Sequence, residues 1–102
     1  MNTQKTYGIK DEELPWRALA EAVIVQAVKD YRICSQRIRQ IQNRLHRRTG
    51  ITPSETIDHK WRLRQYLDAQ DAIRDFFFSP SFHVLSDLDG PRLLKRLDQE
   101  VL

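Results

Sequence analysis

The sequence predicts an all-α protein: a long antiparallel helical hairpin packed with two short C-terminal helices. Three observations carry that prediction. Apolar residues recur at alternating spacings of four and three from Ala20 to Leu45. Two helix-start signals, Thr52-Pro53 and Ser79-Pro80, divide the rest of the chain. No stretch shows the sustained apolar/polar alternation of a strand. At 102 residues the chain has the length of a single domain, with residues 1–13 expected as a flexible N-terminal segment.

The first helix is expected to begin near Pro15, because proline suits a first turn and Asp11, Glu12 and Glu13 suit its positive end. Positions 20, 24, 27, 31, 34, 38, 41 and 45 then form a heptad seam. One row is small (Ala20, Ala27, Cys34, before Ile41) and the other large (Ile24, Tyr31, Ile38, Leu45), which lets a partner helix approach closely. Leu19, Val23 and Val28 widen the stripe early, predicting deep burial of that half. Past Tyr31 the other faces carry Arg and Gln, so the helix turns from core element into exposed basic arm. It should end near Thr49, with Gly50 as the stop.

Thr52-Pro53-Ser54-Glu55 reads as a capping box with proline at the first helical position. The second helix should run to about Phe78, with Ile57, Trp61, Leu63, Tyr66, Leu67, Ile73, Phe76 and Phe77 as its apolar positions. So short a link makes the two long helices antiparallel. Ser79-Pro80 starts a short third helix over 80–86, Asp87 to Gly90 turn the chain, and a last helix carries Leu93, Leu94, Leu97 and Val101. Phe76, Phe77, Phe82 and Leu85 crowd the corner between the second and third helices and should wedge it into the core. Phe78 is the ring expected to stay exposed and to serve a partner.

Several function classes find no support in the residues. The single cysteine, Cys34, excludes an internal disulfide and a Cys-based zinc site, and fits a reducing compartment. No apolar run approaches the ~20 residues that span a bilayer, and the polar N-terminus is not expected to act as a signal peptide. A soluble, cytoplasmic protein that does not engage the membrane is expected. Asp87-Leu88-Asp89-Gly90 starts like a calcium loop, but Pro91, Arg92 and Asp98 stand where a ligand, a glycine and a glutamate are needed. Capping of the last helix is the expected role for these aspartates. His46, His59 and His83 are scattered, and neighbours such as Asp58 and His59 do not face each other on a helix. With no nucleophile elbow, phosphate-cradling glycine loop or paired metal ligands, the expectation is a non-enzyme without cofactor or metal.

Charge gives the functional signal. The net charge is +3, yet Tyr31–Ser54 holds six arginines and no acid, leaving −3 for the rest of the chain. Such a block attracts polyanions over about a Debye length. Arg37, Arg39, Arg44, Arg47 and Arg48 are the leading binding candidates, and Arg62 and Arg64 extend the basic area at the hairpin tip. On a helical projection Arg37, Arg44 and Arg48 share one side while Arg39 is rotated away. An arm of roughly 15–20 Å could span several phosphates and position a strand without reading its sequence. A solvated helix face, a protein-binding surface, or a homodimer through Ile38, Ile41 and Leu45 would use the same residues.

Two stretches resemble a known group. Gln26-Ala27-Val28-Lys29-Asp30-Tyr31-Arg32, together with Phe76-Phe77-x-Ser79-x-x-Phe82-x-x-Leu85-x-Asp87-x-Asp89-Gly90, resembles small proteins encoded by prophages and conjugative elements of Gram-positive bacteria. With the closing Leu-Leu-Lys-Arg-Leu helix the match covers roughly half of the chain. Phe78 and Ser86 depart from the group's usual residues, and the middle from Gln36 to Arg64 lies outside the pattern. The resemblance implies a mobile-element accessory protein that acts stoichiometrically. It would bind nucleic acid or a nucleoprotein complex, or block a host defence assembly such as a CRISPR nuclease.

Overall fold

A computed structural model describes residues 3–47 and 50–100, with side chains described at 15–47 and 50–100. Four helices follow in order: α1 (Thr3–Arg47), α2 (Pro53–Phe78), α3 (Pro80–Leu85) and α4 (Gly90–Asp98). No strand occurs among the described residues. The shape is set by α1 alone. Its 45 residues rise about 68 Å at 1.5 Å each, against a longest molecular extent of 69 Å. The radius of gyration is 19.7 Å, where a compact chain of this length would have about 13 Å.

The two local start signals work as the sequence predicts. Thr52 caps α2 in a full capping box with Pro53 in the first turn, and Ser79 caps α3 with Pro80 behind it. Asp89 caps α4, its carboxylate accepting the Arg92 N–H at 3.1 Å. Gly50, at φ +75°, makes the left-handed turn between the long helices that a side chain would resist. Arg48, Thr49 and Val101 lie outside the described residues.

The core sits where all four helices meet. Ile24 and Tyr31 of α1, Phe77 of α2, Phe82 of α3 and Leu94 and Leu97 of α4 are buried together, edged by Ala27, Val28, Ile73, Phe76, Leu85 and Leu93. The expected phenylalanine wedge is its centre. Phe76, Phe77 and Phe82 lie 5.4–5.8 Å apart between ring centroids, in tilted and edge-on pairs, the arrangement such rings prefer. Polar clasps hold the C-terminal end against this core. Arg74 Nη2 donates to Asp98 Oδ2 at 2.9 Å, and Arg32 donates through Nε and Nη2 to the two oxygens of Glu100 at 2.9 and 2.7 Å.

Two expectations need correction, and a third feature was not foreseen. The first helix begins at Thr3, so Pro15 lies inside it and Asp11, Glu12 and Glu13 are not in its first turn. Proline there removes one i→i−4 bond without ending the helix. Deep burial of the early half of α1 is also overturned. Leu19 is 57% exposed and Trp16 52%, and Val23 is exposed too. Ala20 and Ile24 are buried at the same level, so the cover is narrow there and leaves the flanking Leu19 and Val23 to solvent; farther back, α2 with 26 residues against 45 in α1 runs out before the N-terminal third. Finally, Ile57 and Trp61 face solvent on the outer side of α2 and do not join its packed face. No helix among the described residues is long and apolar enough to cross a membrane.

Candidate nucleic-acid interface

Beyond Tyr31 the molecule is only two helices thick, and this distal half of the hairpin carries the basic arm. Cys34 and Ile38 are buried there, Ile41 and Leu45 half-buried, all within the single chain. The heptad seam packs within the chain, most fully at Cys34 and Ile38. Burial, and at longer range Asp30, push the Cys34 thiol above its ordinary value, so it is no thiolate nucleophile. A hydrogen bond from Gln70 Nε2 to Ser35 Oγ, 2.8 Å, ties the helices at mid-length.

The tip is fixed by the capping box. The Glu55 N–H donates to Thr52 Oγ1 and the Thr52 N–H donates to Glu55 Oε1, both at 3.1 Å. The backbone bond first, and the threonine side chain second, hold the Glu55 carboxyl below the usual range, with Arg44 adding a smaller pull.

Between the helices, just inside the tip, runs a groove of about 200 Å³. From α1 it takes Arg37, Gln40, Ile41 and Arg44; from α2 it takes His59, Arg62 and Tyr66. The spacing explains the convergence. Residues 37, 40, 41 and 44 are one turn apart along one helix, and 59, 62 and 66 are one turn apart along the other. The two rungs of guanidinium, amide, imidazole and phenol thus face across a short cleft. Arg37 and Arg44 make no hydrogen bond or ion pair with any described residue, while Arg62 Nε lies 3.4 Å from Asp58 Oδ2. His59 is half-buried, and both its ring nitrogens are shielded from solvent without a protein hydrogen-bond partner among the described residues.

Of the arginines the sequence singled out, this groove gathers three: Arg37, Arg44 and Arg62. Arg39 and Arg47 are exposed on other sides of α1 and do not line it. Arg48 lies outside the described residues. Arg64 sits on the outer side of α2, its Nε 3.4 Å from Asp68 Oδ1. Phe78 is 62% exposed, but it stands at the far end of α2, about 24 Å along the helix from Arg62. It belongs to a different surface. No family model, curated protein or solved structure matches the chain.

Charge counting reinforces the geometry. Residues 36–64 hold eight Arg or Lys against two acids, so the hairpin tip carries +6 and the rest of the chain −3. The Arg62–Asp58 and Arg64–Asp68 ion pairs are exposed i,i+4 pairs, of the kind worth about 0.3–0.5 kcal/mol, and a phosphate can displace them. Among the described residues no group of three or more His, Cys, Asp and Glu is placed to hold a metal. A wider cavity of about 650 Å³ lies by the turn, lined among the described residues by Leu45, His46, Ile51, Thr56 and Lys60.

Gln40, His59 and Tyr66 were not singled out from sequence. The signal was there in the i, i+3, i+7 register of His59, Arg62 and Tyr66. It becomes readable only once the packed face of α2 is known, because that decides which flank of the helix meets the arm.

Proposed function

We propose that this protein is a non-enzymatic binding module that engages the phosphate backbone of a nucleic acid, free or within a nucleoprotein, through the basic tip of its hairpin. The observation that carries this reading is the convergence of Arg37, Arg44 and Arg62 from two helices on one groove, within a segment of net charge +6. Guanidinium groups suit phosphate because their fork of donors matches its oxygens. A two-helix hairpin that projects from its core can reach a partner without disturbing that core. Sequence readout is not implied, since backbone contacts position a strand and carry no base information.

The reading fits an accessory protein of a mobile genetic element acting in the host cytoplasm, which is what the resemblance of the QAVKDYR and FFxSxxFxxLxDxDG stretches implies. Fluorescence anisotropy with labelled duplex DNA, single-stranded DNA and RNA tests it. Replacing Arg37, Arg44 and Arg62 together with glutamine should weaken binding at least about tenfold while the fold is retained. Unchanged affinity in that variant would overturn the assignment of the groove.

A second reading has its own support. Trp16, Leu19 and Val23 form an exposed apolar row on α1 that leads into a shallow groove of Ala27, Ala72, Ile73 and Phe76. Such a row suits a protein partner, as a stoichiometric inhibitor of a defence complex (an anti-CRISPR-like protein) would require. Trp16→Ala with Leu19→Ala should then abolish co-purification of a partner whose binding survives moderate salt. Unaltered co-purification would remove this row from the interface.

A further inference from the structure

We infer that the groove between α1 and α2 is a seat for a single phosphate group, walled by Arg37, Arg44 and Arg62 and completed by His59 and Tyr66. This inference rests on the nucleic-acid reading for its source of phosphate, a phosphodiester of a strand, and adds a defined stereochemical site to what would otherwise be a diffuse positive surface.

Three observations carry it. First, the charge in the groove is matched to a phosphate. Three arginines line it, Asp58 offsets Arg62 and the Glu55 carboxylate draws on Arg44, which leaves an excess of about one positive charge, the complement of a phosphodiester. Second, the size is right for one group. Arg37 and Arg44 stand two turns apart, about 10 Å along α1, and a cleft of about 200 Å³ holds a phosphate with part of its sugar but no duplex. Third, His59 has two shielded ring nitrogens with no hydrogen-bond partner among the described residues. Burying a polar group unpaired is costly, and native proteins rarely do so without a functional reason. Rotation of the ring toward the groove would give an imidazole N–H a phosphate oxygen as its acceptor. The Tyr66 hydroxyl supplies a further donor, and its ring a face for the attached nucleoside.

His59 and Tyr66 separate a seat from a diffuse patch. A patch responds to the arginines alone, whereas a seat also responds to the imidazole and the phenol. Binding should therefore weaken in His59→Phe and Tyr66→Leu with the salt dependence nearly unchanged, because the number of ionic contacts is the same. Arg17→Gln, on the overhanging part of α1, should leave both affinity and salt dependence as they are.

The test is NMR of the imidazole nitrogens in the full-length ¹⁵N-labelled protein, titrated separately with inorganic phosphate and with a short oligo-dT. His46 and His83 are both exposed and serve as internal references. The expected result is a saturable shift of the His59 signals by both probes, far larger than any at His83, and lost in the Arg37→Gln/Arg44→Gln variant. The oligo-dT affinity of that variant should fall on the order of tenfold or more, as loss of charge-assisted hydrogen bonds predicts. If oligo-dT binds by anisotropy but leaves His59 unmoved, the seat is wrong and the nucleic-acid reading stands. If inorganic phosphate shifts His59 while no polynucleotide binds, the seat stands and the phosphate comes from another molecule. His59 signals indifferent to both probes would overturn the inference outright.

Discussion

The Tyr31 hydroxyl, near the middle of α1, donates a hydrogen bond to Asp98 Oδ1 at the end of α4, joining residues 67 apart in sequence. Arg74 reaches the other oxygen of the same carboxylate, and its guanidinium lies 5.6 Å from the Tyr31 ring centroid. One aspartate thus clasps three helices, and the tyrosine beneath it is 1% exposed. This is the point where the short C-terminal helices are locked to the hairpin.

Removing only the hydroxyl isolates that bond. Tyr31→Phe should destabilise the protein by about 1 kcal/mol in urea unfolding, the typical net value of a buried hydrogen bond. Tyr31→Ala, which also empties a central core position, should cost several times more.

The same tyrosine predicts an alkaline limb. Burial first, and the hydrogen bond to Asp98 second, raise its ionisation well above the ordinary range. The folded protein keeps the proton that the unfolded chain releases near pH 10, so stability is full below about pH 10 and falls as pH rises past it. Unfolding measured from pH 8 upward should show that decline, and Tyr31→Phe should flatten it.

Gly90 illustrates a requirement of space, not of backbone conformation. A Cβ built on it would lie 2.0 Å from the Phe77 carbonyl oxygen and 3.2 Å from the Phe82 ring. Gly90→Ala must therefore push the start of α4 off the end of α2. A loss of about 3 kcal/mol or more is expected, near the upper end of overpacking costs, and a thermal scan would show it as a midpoint lowered by more than 10 °C, roughly.

Phe77 and Phe78 are neighbours with opposite fates. Phe77→Ala should cost about 3–5 kcal/mol, as full truncation of a buried ring does, and Phe78→Ala less than about 0.5 kcal/mol. Denaturant midpoints of the two variants check both numbers.

At acid pH the clasp at the chain's end weakens. The hydrogen bond from Arg32 holds the Glu100 carboxyl below its ordinary value, and the Thr52 cap does the same for Glu55. Both groups take up protons more readily when unfolded, so the stability they contribute is present above about pH 4.3 and is lost as pH falls through their folded values. Glu100→Gln should shallow the acid limb of a pH–stability profile; an unchanged limb would mean that Glu100 contributes nothing to it.

Much of this architecture is legible in the residues because it rests on local rules. The capping box at Thr52, the serine-proline corner at Ser79, the Asp89 cap and the heptad seam are each written within a few positions, and each sits where the pattern puts it. The phenylalanine wedge follows from burial alone. What the residues do not disclose is relative length and rotation. The stripe Leu19–Val23–Val28 names an apolar side of α1, but the rotation of α1 against its neighbours covers Ala20 and Ile24 and leaves Leu19 and Val23 out. Rotation likewise puts the apolar Ile57 and Trp61 outside, since α2 turns His59, Leu63 and Tyr66 inward. The arginine arm is evident from composition. Its division into Arg37 and Arg44 on a groove, and Arg39 and Arg47 off it, required the partner helix.

The salt dependence of binding tests the central claim most directly. Anisotropy of labelled single-stranded and duplex DNA, read from about 50 to about 300 mM salt, counts the phosphates neutralised. Three groove arginines predict a slope of log affinity on log salt of about −2 for single strands and about −3 for duplex, steeper where Arg47 or Arg64 joins in. The Arg37/Arg44/Arg62→Gln variant should lose most of that slope. A wild-type protein that fails to bind any of these strands at the lowest salt would contradict the claim, and would turn the search toward the apolar row of Trp16 and Leu19.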